Sequence, residues 1–253
     1  MVSTGALRDP RVLDVLERLD AGNSASFETV NDMGRSTETW SDDPFDFAEL
    51  PLSVSSEIGQ LIYLTARAAK VTRAVDFATS VGTSLIYLAA AVRDNGGGLV
   101  IGSEVVPAKV KAAQRNVDDA GLTDYVEIRE GDARETLKEL GGPVGYAIVD
   151  GFQESRDGWA GERGSSLALD VLRLLTPQLA PGAVLVNDNA EPDYLEHVRD
   201  PANGFRSSWI PVTPQLSEAE RRRLGAAMKS LTPQSPLVTL MPSAPGLEFS
   251  VRD

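Results

Sequence analysis

The stretch 75–104 changes its hydrophobic pattern twice, and these changes predict a strand, a helix and a second strand. The mainly apolar run RAVDFA is typical of a buried strand, and it ends at a turn of small residues, 78–82. Apolar side chains then recur at helical spacing, at Leu85, Ile86, Leu88, Ala89 and Val92. The glycine-rich loop 94–98 ends this helix, and the run LVIGSE predicts a second buried strand that ends in Glu104.

The same alternation of strands and helices continues along the chain. After Glu104 we predict strands over 125–129, 145–150, 183–186, 205–212 and 246–252. The helices predicted between them cover 107–120, a short segment up to Leu140, 167–179, 193–200 and 218–231. Such alternation predicts an α/β fold with a doubly wound, mostly parallel sheet of seven strands, and the irregular ending suits an antiparallel pair at one sheet edge.

The segment before this core is organised differently. A helix is predicted over 9–19 and another over 55–70, and the polar segment between them is interrupted by glycine and proline. We therefore predict a single domain with an N-terminal helical extension, residues 1–52, that acts as a packing arm or lid on a core of residues 53–253. A homodimer through the N-terminal helix is part of this prediction.

Composition narrows the classes of partner and site. The net charge of −13 and the isoelectric point near 4.6 argue against nucleic-acid and anionic-membrane partners. No apolar run has the length of a membrane span and the N-terminus lacks the layout of a signal peptide, so we expect a cytoplasmic protein. With no cysteine and a single histidine, His197, the chain cannot build a disulfide framework or a Cys/His zinc site. A bound metal would need oxygen ligands, which points to magnesium, calcium or manganese.

Acidic residues end four of the predicted strands, at Asp76, Glu104, Asp150 and Asp188. Open α/β sheets bind ligands at the carboxyl ends of their strands. A turn of small residues lets the backbone approach a ligand closely, and a carboxylate on the next strand can accept both hydroxyls of a ribose. An adenosine-type ligand is therefore predicted. The turn has one glycine where a dinucleotide dehydrogenase needs G-x-G-x-x-G, which argues against that class.

These motifs together resemble the class I S-adenosylmethionine-dependent methyltransferases, a Rossmann-like family, and specifically the small-molecule O-methyltransferases of the catechol and caffeoyl-CoA type. The resemblance covers roughly residues 54–200 and recurs at the terminal GLEFSVR. The family's first motif, acid-x-Gly-x-x-x-Gly, is matched by DFATSVG, with Ala78 in place of the first glycine. The resemblance implies that Glu104 binds the ribose of S-adenosylmethionine and that Asp132 and Ala133 flank its adenine. The other cofactor-binding residues that it implies are Asp76, Ala78, Thr79, Ser80, Gly82, Ser84 and Asp150.

The resemblance also implies a divalent metal, with Asp150, Asp188 and Asn189 as its ligands. The residue types agree with that role, because two carboxylates and an amide oxygen form a hard, half-open site with room for water and substrate oxygens. Magnesium is the expected ion.

One position departs from the family pattern. Where related enzymes carry a lysine that acts as general base, three residues after the first metal aspartate, this chain has Gln153. Glutamine cannot accept a proton at neutral pH. Three explanations remain: the metal alone acidifies the acceptor hydroxyl, another group such as Glu154, Asp157 or His197 substitutes, or methyl transfer has been lost. Gln153 and His197 are the catalytic candidates.

The resulting hypothesis is metal-assisted methyl transfer from S-adenosylmethionine to an oxygen of a small, aromatic, catechol-like acceptor. A metal-independent N- or C-methyltransferase on the same fold is one alternative. A non-catalytic protein that binds the cofactor is the other, and it is favoured by the glutamine at position 153.

Overall fold

The computed structural model describes residues 6–36, 43–151, 164–188, 190–212 and 246–253. The predicted helix over 218–231 and most of the predicted loop over 151–166 lie outside these ranges. The described strands are β1 Arg73–Phe77, β2 Leu99–Glu104, β3 Val126–Glu130, β4 Val144–Val149, β5 Leu179–Asn187, β6 Phe205–Pro211 and β7 Gly246–Arg252. The described α-helices are α1 Pro10–Ser36, α2 Ser56–Ala68, α3 Thr83–Asp94, α4 Pro107–Asp119, α5 Ala133–Thr136, α6 Leu167–Leu175 and α7 Pro192–Arg199.

The strands form one seven-stranded sheet in the order β3-β2-β1-β4-β5-β7-β6. The first five strands in this order run parallel, and β7 lies antiparallel between β5 and β6. The order reverses at β1, so the connections on its two sides leave in opposite directions along the sheet. This topology confirms the predicted doubly wound, mostly parallel α/β fold, including the antiparallel pair at one edge.

The sheet separates two hydrophobic cores because successive side chains of a strand point to opposite faces. Ala74, Tyr146 and Val184 belong to the core that is covered by α1, α2, α3 and α4. Their neighbours in sequence, which include Val75 and Ala147, belong to the core covered by α5, α6 and α7. Both faces of the central strands β1, β2 and β4 are therefore buried, which explains why they are mainly apolar without alternation, whereas the edge strand β3 is partly exposed.

Helix α1 is longer than predicted. The hydrophobic spacing ends at Leu19, but the helix continues through Gly22 to Ser36. A glycine inside a helix costs about 1 kcal/mol relative to alanine, and packing against the rest of the domain can offset that cost. The apolar residues Val12, Val15, Leu16 and Leu19 of α1 are buried within the chain, where α1 contacts α3 and α4. The homodimer stays a prediction, and these residues are already covered by the chain's own core.

Proline explains why helix α6 is shorter than predicted. Helix α6 ends at Leu175, four residues earlier than predicted, and a 3₁₀ turn follows over Thr176–Gln178. Because Pro177 has no backbone N–H, it cannot continue the hydrogen bonding of the helix. Strand β5 then begins at Leu179 and includes Pro181 and Gly182, which were predicted to lie before the strand. Helix α5 is also shorter than predicted. Within the described ranges, no helix has both the length and the apolar character needed to span a membrane.

Candidate functional site

The carboxyl ends of β1, β2, β4 and β5 lie side by side at one edge of the sheet. In the register of the strands, Phe77 lies between Ser103 of β2 and Val149 of β4. The next residue on each of the four strands therefore reaches the same edge, and these residues are Ala78, Glu104, Asp150 and Asp188. The structure thus brings together the strand-end acids that the sequence predicted to form one site.

The turn after β1 has an unusual backbone. Ala78 and Ser80 both lie in the left-handed region, with φ of 64° and 51°, and Gly82 follows at 95°. The left-handed conformation costs a residue with a side chain about 1–2 kcal/mol, so the surroundings must hold the turn in place. The amides of Ala78 and Thr79 both donate to the Ser103 carbonyl, at 3.0 and 3.1 Å. Ala78 therefore adopts the backbone conformation that the family's glycine would adopt most easily.

Asp76 and Ser84 are buried on the core side of this turn and are hydrogen bonded to each other. Asp76 is fully buried, and the Ser84 hydroxyl donates to its Oδ1 at 3.0 Å and lies 3.2 Å from its Oδ2. Burial raises the pKa of Asp76 to about 7, although the hydrogen bond from Ser84 opposes the shift. The Thr79 hydroxyl donates to the Asp76 carbonyl at 2.9 Å. These side chains hold the shape of the turn from within the core.

Glu104 joins the turn to the helix that follows β2. Its Oε2 accepts a hydrogen bond from the Ser80 amide at 2.8 Å, and its Oε1 accepts one from the Val106 amide at 2.9 Å. The residue is 7% exposed. A carboxylate oxygen can accept more than one hydrogen bond, so each oxygen keeps capacity for a ligand hydroxyl. The buried Ser80 hydroxyl beside it has no hydrogen-bond partner in the described part of the chain, so it is available to a polar ligand.

Lys109 on α4 also belongs to this region, and the sequence analysis did not identify it. The residue is 7% exposed. Burial lowers the pKa of its ammonium group, and the nearby Glu104 carboxylate opposes that shift. A signal was present in the sequence, because Pro107 starts the helix and side chains in a first turn lean back towards the preceding strand end.

The segment after β3 closes the site beyond Glu104. The Gly131 amide donates to the Glu104 carbonyl at 2.9 Å, which holds the two segments together. Asp132 caps α5 by accepting from the Arg134 amide at 2.8 Å, and it also pairs with the Arg134 guanidinium. The hydrogen bond from the Arg134 guanidinium holds the pKa of the Asp132 carboxyl below its usual value. Ala133 is buried under this cap. The predicted adenine-flanking residues therefore lie next to the predicted ribose-binding acid.

Asp150 and Asp188, which follow β4 and β5, lie against a wall of aliphatic side chains. The side chains of Asp150 and Asp188 are hydrogen bonded to each other, and burial raises the pKa of Asp188. Two carboxylates this close cannot both be ionised cheaply, so the pair holds a shared proton or requires a cation. The cavity beside them has a volume of about 10 Å³, room for about one water molecule. Its other lining residues are Val54, Ile58, Ile62, Ile148, Val186 and Leu247.

This donor set fits part of a site for a hard divalent cation. Carboxylate oxygens are the ligands that magnesium and calcium prefer, and the close approach of two acids is the arrangement that such an ion would stabilise. The third predicted ligand, Asn189, lies outside the described residues. Among the residues that are described, no cluster of three or more acidic or histidine side chains is arranged to hold a metal.

Comparison with known proteins agrees with this fold. The family model for a methyltransferase domain matches residues 77–190. The chain is 35% identical to a catechol O-methyltransferase of Mycobacterium tuberculosis over 112 residues, which are 44% of this chain and 50% of that protein. It is 34% identical to a catechol O-methyltransferase of Niastella koreensis over 103 residues, 39% of this chain and 46% of that protein. Residues 77–190 of the chain are therefore similar to a methyltransferase domain.

The curated relatives and the solved structures cover different shares of this chain. The chain spans about half the length of the curated relatives it matches. The fold extends further, because an O-methyltransferase from Bacillus cereus, solved in complex with SAH, aligns over 99% of this chain and 94% of its own with a TM-score of 0.61. At 15% identity this likeness shows the fold alone. The fold that the sequence predicted is confirmed, and the match over residues 77–190 agrees with the predicted family.

The two catalytic candidates that the sequence indicated lie in different parts of the chain. Gln153 lies outside the described residues. His197 lies near the end of α7, where its ring packs 6.1 Å from that of Phe205, and burial lowers its pKa. Phe205 begins β6 and pairs with Arg252 at the amino-end side of β5, four residues or about 13 Å before Asn187. The geometry therefore gives His197 no support as a base beside Asp150.

Proposed function

We propose that this chain is an S-adenosylmethionine-dependent O-methyltransferase that acts on a small, catechol-like aromatic acceptor with the help of a divalent metal. The observation that carries the proposal is the position of Glu104. Its carboxylate holds the amides of Ser80 and Val106 at the switch point of the sheet, beside a turn with a buried hydroxyl that has no partner among the described residues. A nucleoside with free ribose hydroxyls fits this combination, and strand order reverses at the same place.

The chain's own residues would bind and orient the donor. S-adenosylmethionine supplies a methyl group that is already activated on a positively charged sulfur. Glu104 would accept hydrogen bonds from the ribose, and the left-handed turn at 78–82 would bring backbone groups close to the methionine part. Asp76 and Ser84 would keep that turn in shape from within the core. The methyl group then needs only an acceptor oxygen in line with the sulfur, so catalysis rests on alignment.

The acceptor side of the proposal rests on Asp150 and Asp188. Together with Asn189 they would hold a magnesium ion, which would lower the pKa of a bound acceptor hydroxyl and orient the ring. The aliphatic wall formed by residues such as Val54, Ile58 and Leu247 would pack against an aromatic acceptor. The two curated relatives are named as catechol O-methyltransferases, which supports an acceptor with two adjacent oxygens.

The residue that accepts the proton is the open part of this mechanism. If no side chain replaces the lysine of related enzymes, the metal must acidify the hydroxyl by itself. Glu154 and Asp157 remain candidates for that role, and both lie outside the described residues.

The test has two stages. Isothermal titration of the chain with S-adenosylhomocysteine should give a one-to-one complex, because Glu104 already holds the amides of Ser80 and Val106 in place. A methyl-transfer screen over catechols is then run with magnesium and with excess chelator. Activity that needs magnesium supports the proposal. Activity that survives complete metal removal would favour an N- or C-methyltransferase, and tight binding without any methylated acceptor would favour a non-catalytic cofactor-binding protein.

A further inference from the structure

Helix α1 is connected by hydrogen bonds to the turn that follows β1, although the two are far apart in sequence. The first connection begins at Asn23, a buried side chain of α1. Its Nδ2 donates to the Ser53 carbonyl at 2.9 Å, and its Oδ1 accepts from the Ser53 amide at 3.0 Å. The Ser53 hydroxyl in turn accepts a hydrogen bond from the Thr83 hydroxyl at 2.9 Å.

A second connection runs from α1 through α4. The Arg18 guanidinium donates to Oδ1 of Asn116 at 2.9 Å. The amide nitrogen of Asn116 then donates to the Val81 carbonyl at 2.9 Å. The two connections therefore end at Val81 and Thr83, on the two sides of Gly82.

These contacts reach the part of the chain that most needs support. The turn contains Ala78 and Ser80 in the left-handed conformation, which persists only where surrounding groups hold it. Gly82, also left-handed, is the N-cap of α3 and has no side chain with which to cap that helix. A polar contact on each side of Gly82 restricts the backbone at the point where the turn becomes a helix.

We propose that α1 determines the affinity of the chain for its methyl donor, with Asn23 as the principal positioning residue and Arg18 as a weaker one. This inference rests on the proposed function, since it assigns α1 to the donor site. Asn23 is the stronger of the two because it is buried and makes two hydrogen bonds to the backbone of Ser53. The Arg18 side chain is 56% exposed, so water screens its contact. Helix α1 would thus do more than cover the core, because it holds the donor-binding turn in its bound conformation before the donor arrives.

The experiment compares Asn23→Ala with a matched control. Arg11 lies on the same helix and donates to the carbonyls of Asp118 and Asp119 on α4, but it does not reach the turn. We expect Asn23→Ala to weaken binding of S-adenosylhomocysteine about tenfold, or about 1.4 kcal/mol. Arg11→Ala should leave the Kd unchanged. Equal Kd values for Asn23→Ala and the wild type, or equal losses in both variants, would overturn the inference.

A double-mutant cycle separates positioning from general destabilisation. Thr83→Val keeps the shape of the side chain and removes the hydroxyl that contacts Ser53. If Asn23 acts through Ser53 and Thr83, Asn23→Ala should change the Kd little in the Thr83→Val background. If Asn23 is only structural, the two effects on Kd should add. Thr83→Val alone tests the connection if Asn23→Ala does not fold.

Hydrogen exchange provides a measurement that needs no ligand. In the free protein, the amides of residues 81–83 should exchange faster in Asn23→Ala and in Thr83→Val than in the wild type or in Arg11→Ala. Unchanged exchange would contradict the inference. If the wild type fails to bind S-adenosylhomocysteine, the proposed function fails, and the exchange rates still show whether α1 holds the turn.

Discussion

The Ser84 hydroxyl lies 3.0 Å from Oδ1 of Asp76, within the core and beneath the turn that follows β1. Burial raises the pKa of this carboxyl from its ordinary 3.8 to about 7. Between these two values the folded protein keeps a proton that the unfolded chain has released. The stabilisation is therefore complete below about pH 4 and is lost as the pH rises to about 7.

The first prediction concerns this loss of stability as the pH rises. The free energy of unfolding of the wild type should fall by up to roughly 4 kcal/mol more between pH 4 and 7 than that of Asp76→Asn, because the shift is about three pH units. Asparagine keeps an oxygen that can accept from Ser84 but does not titrate. Urea unfolding of both proteins across this range measures the difference. Parallel profiles would show that Asp76 is ionised throughout.

Glu104→Gln should weaken binding of S-adenosylhomocysteine by about 10- to 100-fold, since hydrogen bonds to a charged group contribute about 1.5–3 kcal/mol. The amide NH₂ of glutamine would also face one of the two backbone N–H groups that Glu104 now binds. Titration calorimetry gives the Kd. Glu127→Gln on β3 is the control, because Glu127 is exposed and pairs with Arg129. If Glu104→Gln binds S-adenosylhomocysteine as tightly as the wild type, Glu104 does not contact the donor.

Gly59→Ala should lower the free energy of unfolding by about 1–3 kcal/mol, the usual effect of forcing an extra group into a packed core. A Cβ at this position of α2 would overlap the ring of Tyr87 on α3. Denaturant unfolding measures the loss. In a Tyr87→Ala background the same change should be neutral or stabilising, because alanine favours a helix over glycine by about 1 kcal/mol. An equal loss in both backgrounds would show that the ring is not the cause.

Asp188→Asn should abolish most magnesium-dependent methyl transfer and leave the affinity for S-adenosylhomocysteine within about twofold. The reason is that Asp188 follows β5 and pairs with Asp150. Glu104 and the turn at 78–82 follow β2 and β1, which β4 separates from β5. Rates with magnesium and with chelator, together with calorimetry, separate the two effects. Glu196→Gln, an exposed change on α7, should alter neither. Full activity of Asp188→Asn in magnesium would exclude this acid as a ligand.

Gln153→Lys should raise kcat by about 10²-fold or more if proton removal limits the reaction, since general bases contribute about 10²–10⁴-fold. The gain should be largest above neutral pH, where more of the lysine is deprotonated. A pH–rate profile against catechol, with Gln153→Met as a control of similar length without a base, checks this. An unchanged kcat would indicate that the metal or another group already removes the proton.

The sequence by itself predicted the elements whose residues carry a local signal. The run from 75 to 104 has apolar spacing that suits a strand, a helix and a strand, and each of these elements is present in the structure. The acids at the ends of four strands were predicted to meet because parallel strands bring their carboxyl ends to one edge. The length of α1 was not predicted, since the hydrophobic spacing ends at Leu19 and Gly22 disfavours a helix by propensity.

What only the tertiary structure decided depends on contacts between residues that are distant in the chain. Pairing within the sheet places His197 beside Phe205, at the end of β6 remote from the acids, although the sequence analysis named it as a group that could replace the missing lysine. The burial of Lys109 beside Glu104 and the contact of Asn23 with Ser53 depend in the same way on how helices pack on the sheet. Hydrophobic periodicity specifies which face of an element is buried. It does not specify which distant side chain that face will meet, because that depends on the register and packing of the whole sheet.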